Sequence, residues 1–312
     1  MIPASENFQP FFVDAGGVRL RAGRFDVETP GAICLLLNGQ TEFIEKYLEV
    51  IDELRSRKLV VITFDWRGQG GSDRLLPDGR KAHIPDFSAY DQDLDAVLSQ
   101  LVRPLAAERG LPIIAMAHSM GGHLLVRRLH DVPDEFAAAI LCAPMMGINS
   151  RGSPWWVVEK VAAYLNRDGP STDFVWGMAA RDQLKLPFAL QIVTSDRERY
   201  ARNQGLLAAD PELRLNGPTW GWLGAALASI ALTRSPGYAE AIETPSLLFG
   251  AGQDRVCDTG AVRAFAARMP KAEYVEIAGA EHEILMERDI FRAELWLRVD
   301  AFLKKSAPAV SC

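Results

Sequence analysis

The hydrophobic pattern of the chain alternates between short, wholly apolar runs and longer stretches in which apolar residues recur every three or four positions. An apolar run of this kind is typical of a strand buried on both faces, and the longer spacing is typical of a helix with one apolar side. Strands are predicted at 32–37, 59–64, 113–118, 137–145, 247–250 and 272–277, and helices at 46–57, 87–103 and 290–305. This alternation predicts an α/β fold, with a mostly parallel sheet and helices on both faces.

Two segments interrupt the alternation. Residues 11–14 and 18–25, separated by a Gly-Gly pair, predict an antiparallel hairpin at the start of the sheet. Between 146 and 234 the pattern consists of helical periodicities separated by proline and glycine, with no convincing buried strand. We therefore predict a core made of residues 1–145 and 235–312, interrupted by a helical cap of residues 146–234. The cap is expected to cover the carboxyl edge of the sheet, where the active sites of such folds lie.

Composition narrows the class of protein. The chain has 312 residues, of which 48% are hydrophobic and 24% charged, as in a soluble globular protein. Its net charge of -6 argues against a nucleic-acid partner. Its four cysteines form no C-x-x-C pair, so neither a zinc site nor a disulfide framework is predicted. The chain shows no secretory signal pattern and no apolar run long enough to span a membrane. We therefore expect a cytoplasmic protein, for which peripheral membrane contact stays open.

Residues 113–122 carry the most specific pattern in the chain. An apolar strand leads into Ser119 between bulky neighbours, followed by two glycines and a helix. This is the layout of a nucleophile elbow, in which the serine occupies a strained turn and the residues two before and two after it must be small. Ala117 and Gly121 meet that requirement. A phosphate-binding turn is the alternative, but the stretch has neither G-x-G-x-x-G nor a P-loop lysine.

A serine hydroxyl becomes an effective nucleophile when a base removes its proton and a carboxylate orients that base. His282 lies in a polar loop after the last predicted strand, which suits the base in the chain order Ser, acid, His. His118, next to the nucleophile, is expected to point elsewhere on the turn. Asp254, in a loop of small residues after the strand 247–250, is the predicted acid, and Asp258 is the alternative.

Acyl transfer also builds negative charge on a carbonyl oxygen, which backbone N–H groups must stabilise. The amide of Met120, directly after the nucleophile, is one predicted donor. The amide of Gln40, in the loop 38–40 that follows an early strand, is the other. The alternative is that Asn38-Gly39 forms only a tight turn.

Four stretches carry a family resemblance, namely 38–42, 64–72, 117–122, and Asp254 together with 279–283. They resemble the α/β-hydrolase superfamily and, more closely, its lysophospholipase and monoacylglycerol lipase branch. The resemblance implies an α/β-hydrolase fold, Ser119 as nucleophile, Asp254 and His282 as its partners, and the Gln40 and Met120 amides as the oxyanion hole. It also implies neither a metal nor an organic cofactor. The departures are Ala117 in place of the usual glycine, and Asn38 where related lipases often carry histidine.

Tryptophans are concentrated in the predicted cap, which holds five of the seven. We expect Trp155, Trp156, Trp220 and Trp222 to bind substrate as part of a lid over an acyl-chain pocket. The alternative is that they anchor the cap helices to the core.

Together these features predict a cofactor-independent serine hydrolase that cleaves carboxylic esters through an acyl-enzyme on Ser119. The expected partner is a small-molecule ester or lipid, such as a lysophospholipid or monoacylglycerol. An aminopeptidase or amidase on the same fold is the alternative among enzymes. A catalytically silent protein that uses the fold only to bind a ligand is the alternative from another class.

Overall fold

The computed structural model describes residues 8–149, 160–162, 164–165, 170–178, 184 and 186–307. Ten strands lie in these ranges: β1 Phe11–Asp14, β2 Arg19–Phe25, β3 Ala32–Leu37, β4 Leu59–Phe64, β5 Lys81–Ala82, β6 Ile113–His118, β7 Ala138–Cys142, β8 Gly217–Pro218, β9 Ser246–Ala251 and β10 Ala272–Ile277. Eight of them form one sheet in the order β1-β2-β4-β3-β6-β7-β9-β10, and β5 pairs with β8.

The main sheet is parallel from β4 to β10 and antiparallel at its first edge. β1 pairs with β2, and β2 with β4, in antiparallel register. Gly16 and Gly17 form the β1–β2 turn with φ of +70° and +89°, a conformation that glycine adopts at little cost. The predicted hairpin and mostly parallel sheet are therefore confirmed.

Eight α-helices have both ends within the described ranges: α1 Leu48–Ser56, α2 Ser88–Val97, α3 Arg103–Arg109, α4 Ser119–Asp131, α5 Arg197–Ala209, α6 Trp220–Thr233, α7 Thr259–Ala266 and α8 Asp289–Ser306. The described residues 160–162 and 164–165 are also helical. Leu94, Leu124, Ile230 and Val262, from α2, α4, α6 and α7, belong to the apolar layer on one face. Ile51 of α1 and Val299 of α8 belong to the layer on the other face. Helices therefore cover both faces of the sheet, as predicted.

The helix predicted at 87–103 is interrupted and continues further than expected. A π turn at Leu98–Val102 separates α2 from α3, and the N–H of Arg103 bonds to the carbonyl of Leu98. Proline inside a helix lacks the N–H of the usual ladder, whereas the first turn tolerates it. Pro104 lies in the first turn of α3. The π turn thus lets the chain restart a helix around Pro104.

The segment predicted to form a helical cap contains α5 and α6 but also a short strand. β8, at Gly217–Pro218, pairs in parallel with β5, at Lys81–Ala82. Nothing in the sequence pattern indicated β8, because two residues, one of them only partly buried, are too short for a detectable period. The boundaries of the cap at 146 and 234 remain predictions.

The register of the central strands positions the loops that follow them. β3 lies between β4 and β6, and Leu37 at its end pairs with Phe64 and with Ala117. On the next strand along, Ala117 pairs with Leu141 of β7. The segments after β3 and β6 therefore leave the sheet side by side, at its carboxyl edge.

Candidate active site

Ser119 stands at the sharp turn between β6 and α4. Its φ of +50° lies in the left-handed region, which costs a non-glycine residue about 1–3 kcal/mol. A Cβ on Gly121 would lie 2.5 Å from the carbonyl oxygen of Asn38 and 2.7 Å from that of Leu37. Ala117 is fully buried at the end of β6. The start of α4 therefore packs too closely against the end of β3 for a side chain at position 121, and alanine is accommodated at the first small position.

Three of the predicted residues form one hydrogen-bonded chain. The Oγ of Ser119 lies 2.9 Å from Nε2 of His282. Nδ1 of His282 lies 2.7 Å from Oδ2 of Asp254. Ser119 and His282 are buried, and the Asp254 side chain is only 2% exposed. This order of groups allows a proton to pass from the hydroxyl to the imidazole while the carboxylate holds the ring.

The second oxygen of Asp254 is fixed by the main chain. Oδ1 accepts hydrogen bonds from the N–H groups of Val256 and Cys257, each at 2.8 Å. Burial acts to raise the pKa of Asp254, but attraction to His282 and hydrogen bonds from His282 and these two amides hold it below its ordinary value. The alternative acid, Asp258, instead caps α7 by accepting from the N–H of Ala261 at 3.1 Å.

The loop after β3 lies directly against the nucleophile. A Cβ on Gly39 would lie 3.1 Å from Cβ of Ser119, so the 38–40 backbone and the start of α4 share one corner. Met120 is the second residue of α4. The N–H groups in the first turn of a helix have no hydrogen-bond acceptor within the helix, so they are available to bind another group. Gln40 and Met120, whose amides are the predicted oxyanion donors, thus belong to two segments that adjoin the Ser119 turn, and their role in the oxyanion hole stays a prediction.

Gln69 supports this loop, a role that the sequence did not suggest. Its Nε2 donates to the carbonyl oxygens of Gly39 at 2.8 Å and Glu42 at 2.9 Å. Asn38 is buried and donates from Nδ2 to the carbonyl of Phe64 at 3.0 Å. Asn38 therefore links the end of β3 to the end of β4, while Gln69 holds the backbone of the loop that follows.

Four ionisable side chains lie close together behind the Ser119–His282 pair. Glu42, Lys46 and His118 are buried and Glu283 is partly buried, and we call this cluster the buried quartet. Nζ of Lys46 lies 2.8 Å from Oε1 of Glu42 and 2.6 Å from Oε1 of Glu283. Nδ1 of His118 lies 3.0 Å from Oε2 of Glu42. Burial acts to raise the pKa of Glu42, but attraction to Lys46 and His118 holds it well below its ordinary range. Sequence reasoning missed this cluster.

Glu287 joins the His282 loop to the segment before α5. Its carboxylate is fully buried. Oε1 accepts from the N–H groups of Glu281 at 2.8 Å and Ser195 at 3.0 Å, and Oε2 accepts from the N–H of Arg288 at 2.9 Å and the Ser195 hydroxyl at 2.5 Å. One side chain thus holds both the loop of the predicted base and a neighbouring segment.

The structure places two of the four predicted substrate-binding tryptophans. Trp222 is buried, and its ring lies 5.9 Å from that of Phe87 in the apolar layer. Trp220 is buried beside Trp176, with ring centroids 5.0 Å apart. Trp222 therefore anchors α6 to the core. Contact with substrate remains a prediction for both, and Trp155 and Trp156 lie outside the described residues.

One group of side chains near the site has donor types that metal ions use. Potential ligand atoms of Asp254, Cys257 and His282 lie within 4.8 Å of one another. Both ring nitrogens of His282 already bond to Asp254 and Ser119. Burial raises the pKa of the Cys257 thiol well above its ordinary value, which disfavours the thiolate that binds metals. These donors suit proton transfer better than metal binding.

Comparisons with known proteins agree with this geometry. The family model described as serine aminopeptidase, S33, matches residues 28–289. Lysophospholipase L2 of Escherichia coli (strain K12) is 30% identical over 311 residues, which cover 96% of this chain and 88% of the relative. Monoacylglycerol lipase of Mycolicibacterium smegmatis is 25% identical, over 88% of this chain and 90% of the relative.

A solved structure shows the same fold. The crystal structure of a soluble variant of monoglyceride lipase from Saccharomyces cerevisiae, in complex with a substrate analog, superposes with a TM-score of 0.78 and 19% identity, covering 96% of each chain. No helix in the described ranges is both long and apolar enough to cross a membrane. The chain belongs to the serine aminopeptidase S33 family of α/β-hydrolases and, within it, to the lysophospholipase and monoacylglycerol lipase branch of carboxylic ester hydrolases.

Proposed function

We propose that this enzyme hydrolyses the carboxylic ester of a single-chain lipid, a lysophospholipid or a monoacylglycerol, through an acyl-enzyme on Ser119. The observation that carries the proposal is the chain of hydrogen bonds from Ser119 through His282 to Asp254, at 2.9 and 2.7 Å. The choice of substrate is supported by the relatives, which include a lysophospholipase and a monoacylglycerol lipase.

In the proposed reaction, His282 takes the hydroxyl proton at Nε2 while Ser119 Oγ attacks the ester carbonyl. The amides of Gln40 and Met120 stabilise the resulting oxyanion. His282 then gives its proton to the departing alcohol, which leaves the fatty acyl group on Ser119. Water, deprotonated by the same imidazole, releases the acid and restores the enzyme. Asp254 holds the ring and balances its transient positive charge.

We also propose that the predicted cap, with Trp155, Trp156, Trp220 and Trp222, forms the acyl-chain pocket. A cytoplasmic location and the absence of a nucleic-acid partner belong to the same proposal. Three cysteines, Cys34, Cys142 and Cys257, are free and buried, which is compatible with a reducing compartment.

The test uses the full chain, its Ser119→Ala variant, and Ser99→Ala, which removes an exposed hydroxyl away from the elbow. A fluorophosphonate should label the wild type and Ser99→Ala but leave Ser119→Ala unlabelled. A hydrolysis panel should show lysophospholipid or monoacylglycerol cleaved faster than short esters and aminoacyl anilides. Preference for the anilides would favour an aminopeptidase, and an unlabelled, inactive wild type would leave only a ligand-binding role.

A further inference from the structure

His118 holds a position between the two loops that the proposed reaction depends on. It is buried at the end of β6, next to Ser119 in the chain. Its Nδ1 lies 3.0 Å from Oε2 of Glu42, and its Nε2 lies 3.2 Å from the main-chain carbonyl oxygen of His282. The rings of His118 and His282 lie 4.9 Å apart between centroids.

Both nitrogens of the His118 ring therefore face oxygen atoms that only accept hydrogen bonds. An ionised carboxylate and a main-chain carbonyl have no proton to give. A neutral imidazole carries one N–H, so one of its nitrogens would direct a lone pair at an oxygen. The imidazolium form carries two N–H groups and satisfies both contacts at once.

The charges around His118 favour the same form. In the buried quartet, Glu42 and Glu283 supply two negative charges and Lys46 one positive charge. A neutral His118 would leave two carboxylates, one buried and one partly buried, to share the single positive charge of Lys46, which is costly, whereas the imidazolium balances the set.

Two further groups near the ring, Tyr47 and Cys142, do not add a charge to this balance, and His282 is positively charged only transiently in the proposed reaction. The Tyr47 hydroxyl donates to Glu42 at 2.6 Å, and the pKa of Tyr47 is raised well above its ordinary value by burial and by Glu42. Cys142, paired with His118 across β6 and β7, has a thiol pKa raised by burial. Burial and the Lys46 charge act to lower the pKa of His118, but attraction to Glu42, its hydrogen bond and attraction to Glu283 raise it above its ordinary value.

We propose that His118 is a positioning residue that acts as an imidazolium, donating Nδ1–H to Glu42 and Nε2–H to the carbonyl oxygen of His282. Glu42 also accepts the N–H of Gly39, so its carboxylate holds the loop that carries the Gln40 amide. One buried cation thereby links the oxyanion loop to the loop of the general base. The kinetic consequences of this inference rest on the proposed function, whereas the protonation state does not.

Loss of the His118 proton should uncouple the two loops. The imidazolium is present below its raised pKa and is lost as the pH rises through that value. Activity should then fall at alkaline pH, because a lone pair faces either Glu42 or the His282 carbonyl. Glu42→Gln keeps the shape of the side chain but removes the charge that supports the imidazolium.

The first measurement is the protonation of the histidine rings in the full chain, by NMR of protein labelled with 15N-histidine at pH 7. His118 should show two protonated ring nitrogens, and His123 one, because burial and the nearby Arg127 lower the pKa of His123 to about 3. The His118 signals are assigned by their loss in His118→Asn or, if that variant does not fold, by their response to Glu42→Gln. A single protonated nitrogen on His118 would overturn the proposal.

The second measurement is the pH dependence of kcat/KM for a lysophospholipid. In Glu42→Gln the alkaline fall should begin about one pH unit or more below that of the wild type. Glu45→Gln, which removes a neighbouring carboxylate paired with Arg21, should keep the wild-type profile. A drop of equal size at every pH in Glu42→Gln would mean a purely structural role and would refute the coupling.

The two measurements separate this inference from the proposed function. A wild type without Ser119-dependent hydrolysis would defeat the proposed function, while the NMR result would still decide the state of His118. An active enzyme whose His118 carries only one ring proton would refute this inference and leave the proposed function intact.

Discussion

Glu287 offers a sharp test of how the base loop is held. Its two carboxylate oxygens accept four hydrogen bonds, three from main-chain N–H groups and one from the Ser195 hydroxyl. Glu287→Gln keeps the size of the side chain but turns one oxygen into an NH2 group. If the NH2 group replaced Oε1, the N–H groups of Glu281 and Ser195 would both lose their acceptor. If it replaced Oε2, the Ser195 hydroxyl could rotate and accept, so only the N–H of Arg288 would be left unpaired.

The second orientation is therefore the cheaper one, and its cost can be estimated. A buried N–H without an acceptor costs about 1–3 kcal/mol. Losing the negative charge weakens the remaining hydrogen bonds, but it also removes the cost of burying that charge, so these two effects oppose each other. We expect Glu287→Gln to lower the free energy of unfolding by about 1–3 kcal/mol.

The assay is urea unfolding followed by tryptophan fluorescence, with midpoints compared at a common slope. Glu273→Gln is the matched control, because Glu273 makes an ion pair with Lys305 in which both side chains are largely exposed. Exposed pairs contribute about 0–1 kcal/mol. Equal midpoints for Glu287→Gln and this control would refute the reasoning. Because the loop around Glu281 also carries His282, kcat should fall about ten-fold or more in the same variant.

Three further predictions concern the elbow and its partners. Asp254→Asn should lower kcat by roughly 10⁴, by analogy with serine proteases. A kcat on the same ester that stays above about one hundredth of the wild-type value would assign the acid's role to another residue. Gln40→Pro, which removes the backbone N–H, should lower kcat by about 10²–10³, whereas Gln40→Ala keeps that donor and should change kcat little; equal rates in a side-by-side ester assay would exclude the Gln40 amide. Gly121→Ala should reduce stability by about 1–3 kcal/mol, because its Cβ meets the Asn38 carbonyl oxygen at 2.5 Å. The control is Gly205→Ala in α5, where an added Cβ would have no neighbour within 4 Å; this variant should be more stable by up to about 1 kcal/mol. If the Tm values of both variants shifted in the same direction from that of the wild type, the reasoning would be contradicted.

The inner strands of the main sheet were predictable because they are buried on both faces and so appear as continuous apolar runs, whereas β10 at the edge is largely only partly buried. The strands predicted at 32–37, 59–64 and 272–277 have those bounds in the structure. β5 and β8 were not predictable, since two residues carry no period, and Gly217–Pro218 has the composition of a turn. The π turn before Pro104 was missed because a proline normally marks where a helix ends.

At the site, the elbow identified Ser119, and chain order led to Asp254 and His282, which the structure places within hydrogen-bonding distance of one another. The buried quartet left no comparable pattern. Glu42 and Lys46 have the spacing of an exposed helical ion pair, and their burial depends on His118 and Glu283 arriving from two other segments. Tertiary contacts of that kind cannot be read from local periodicity.

The separation of the site residues along the chain has a consequence for folding. His282 and Ser119 are 163 residues apart in sequence and meet only when β6 and β10 occupy the same sheet. Contacts between distant segments close large loops and form slowly. The segment from β3 to β7 does not contain His282, the predicted base. A folding intermediate in which the Ser119 elbow has already formed would therefore still lack activity. Regain of esterase activity during refolding should therefore lag behind regain of helical circular dichroism, and would report the completion of the whole sheet.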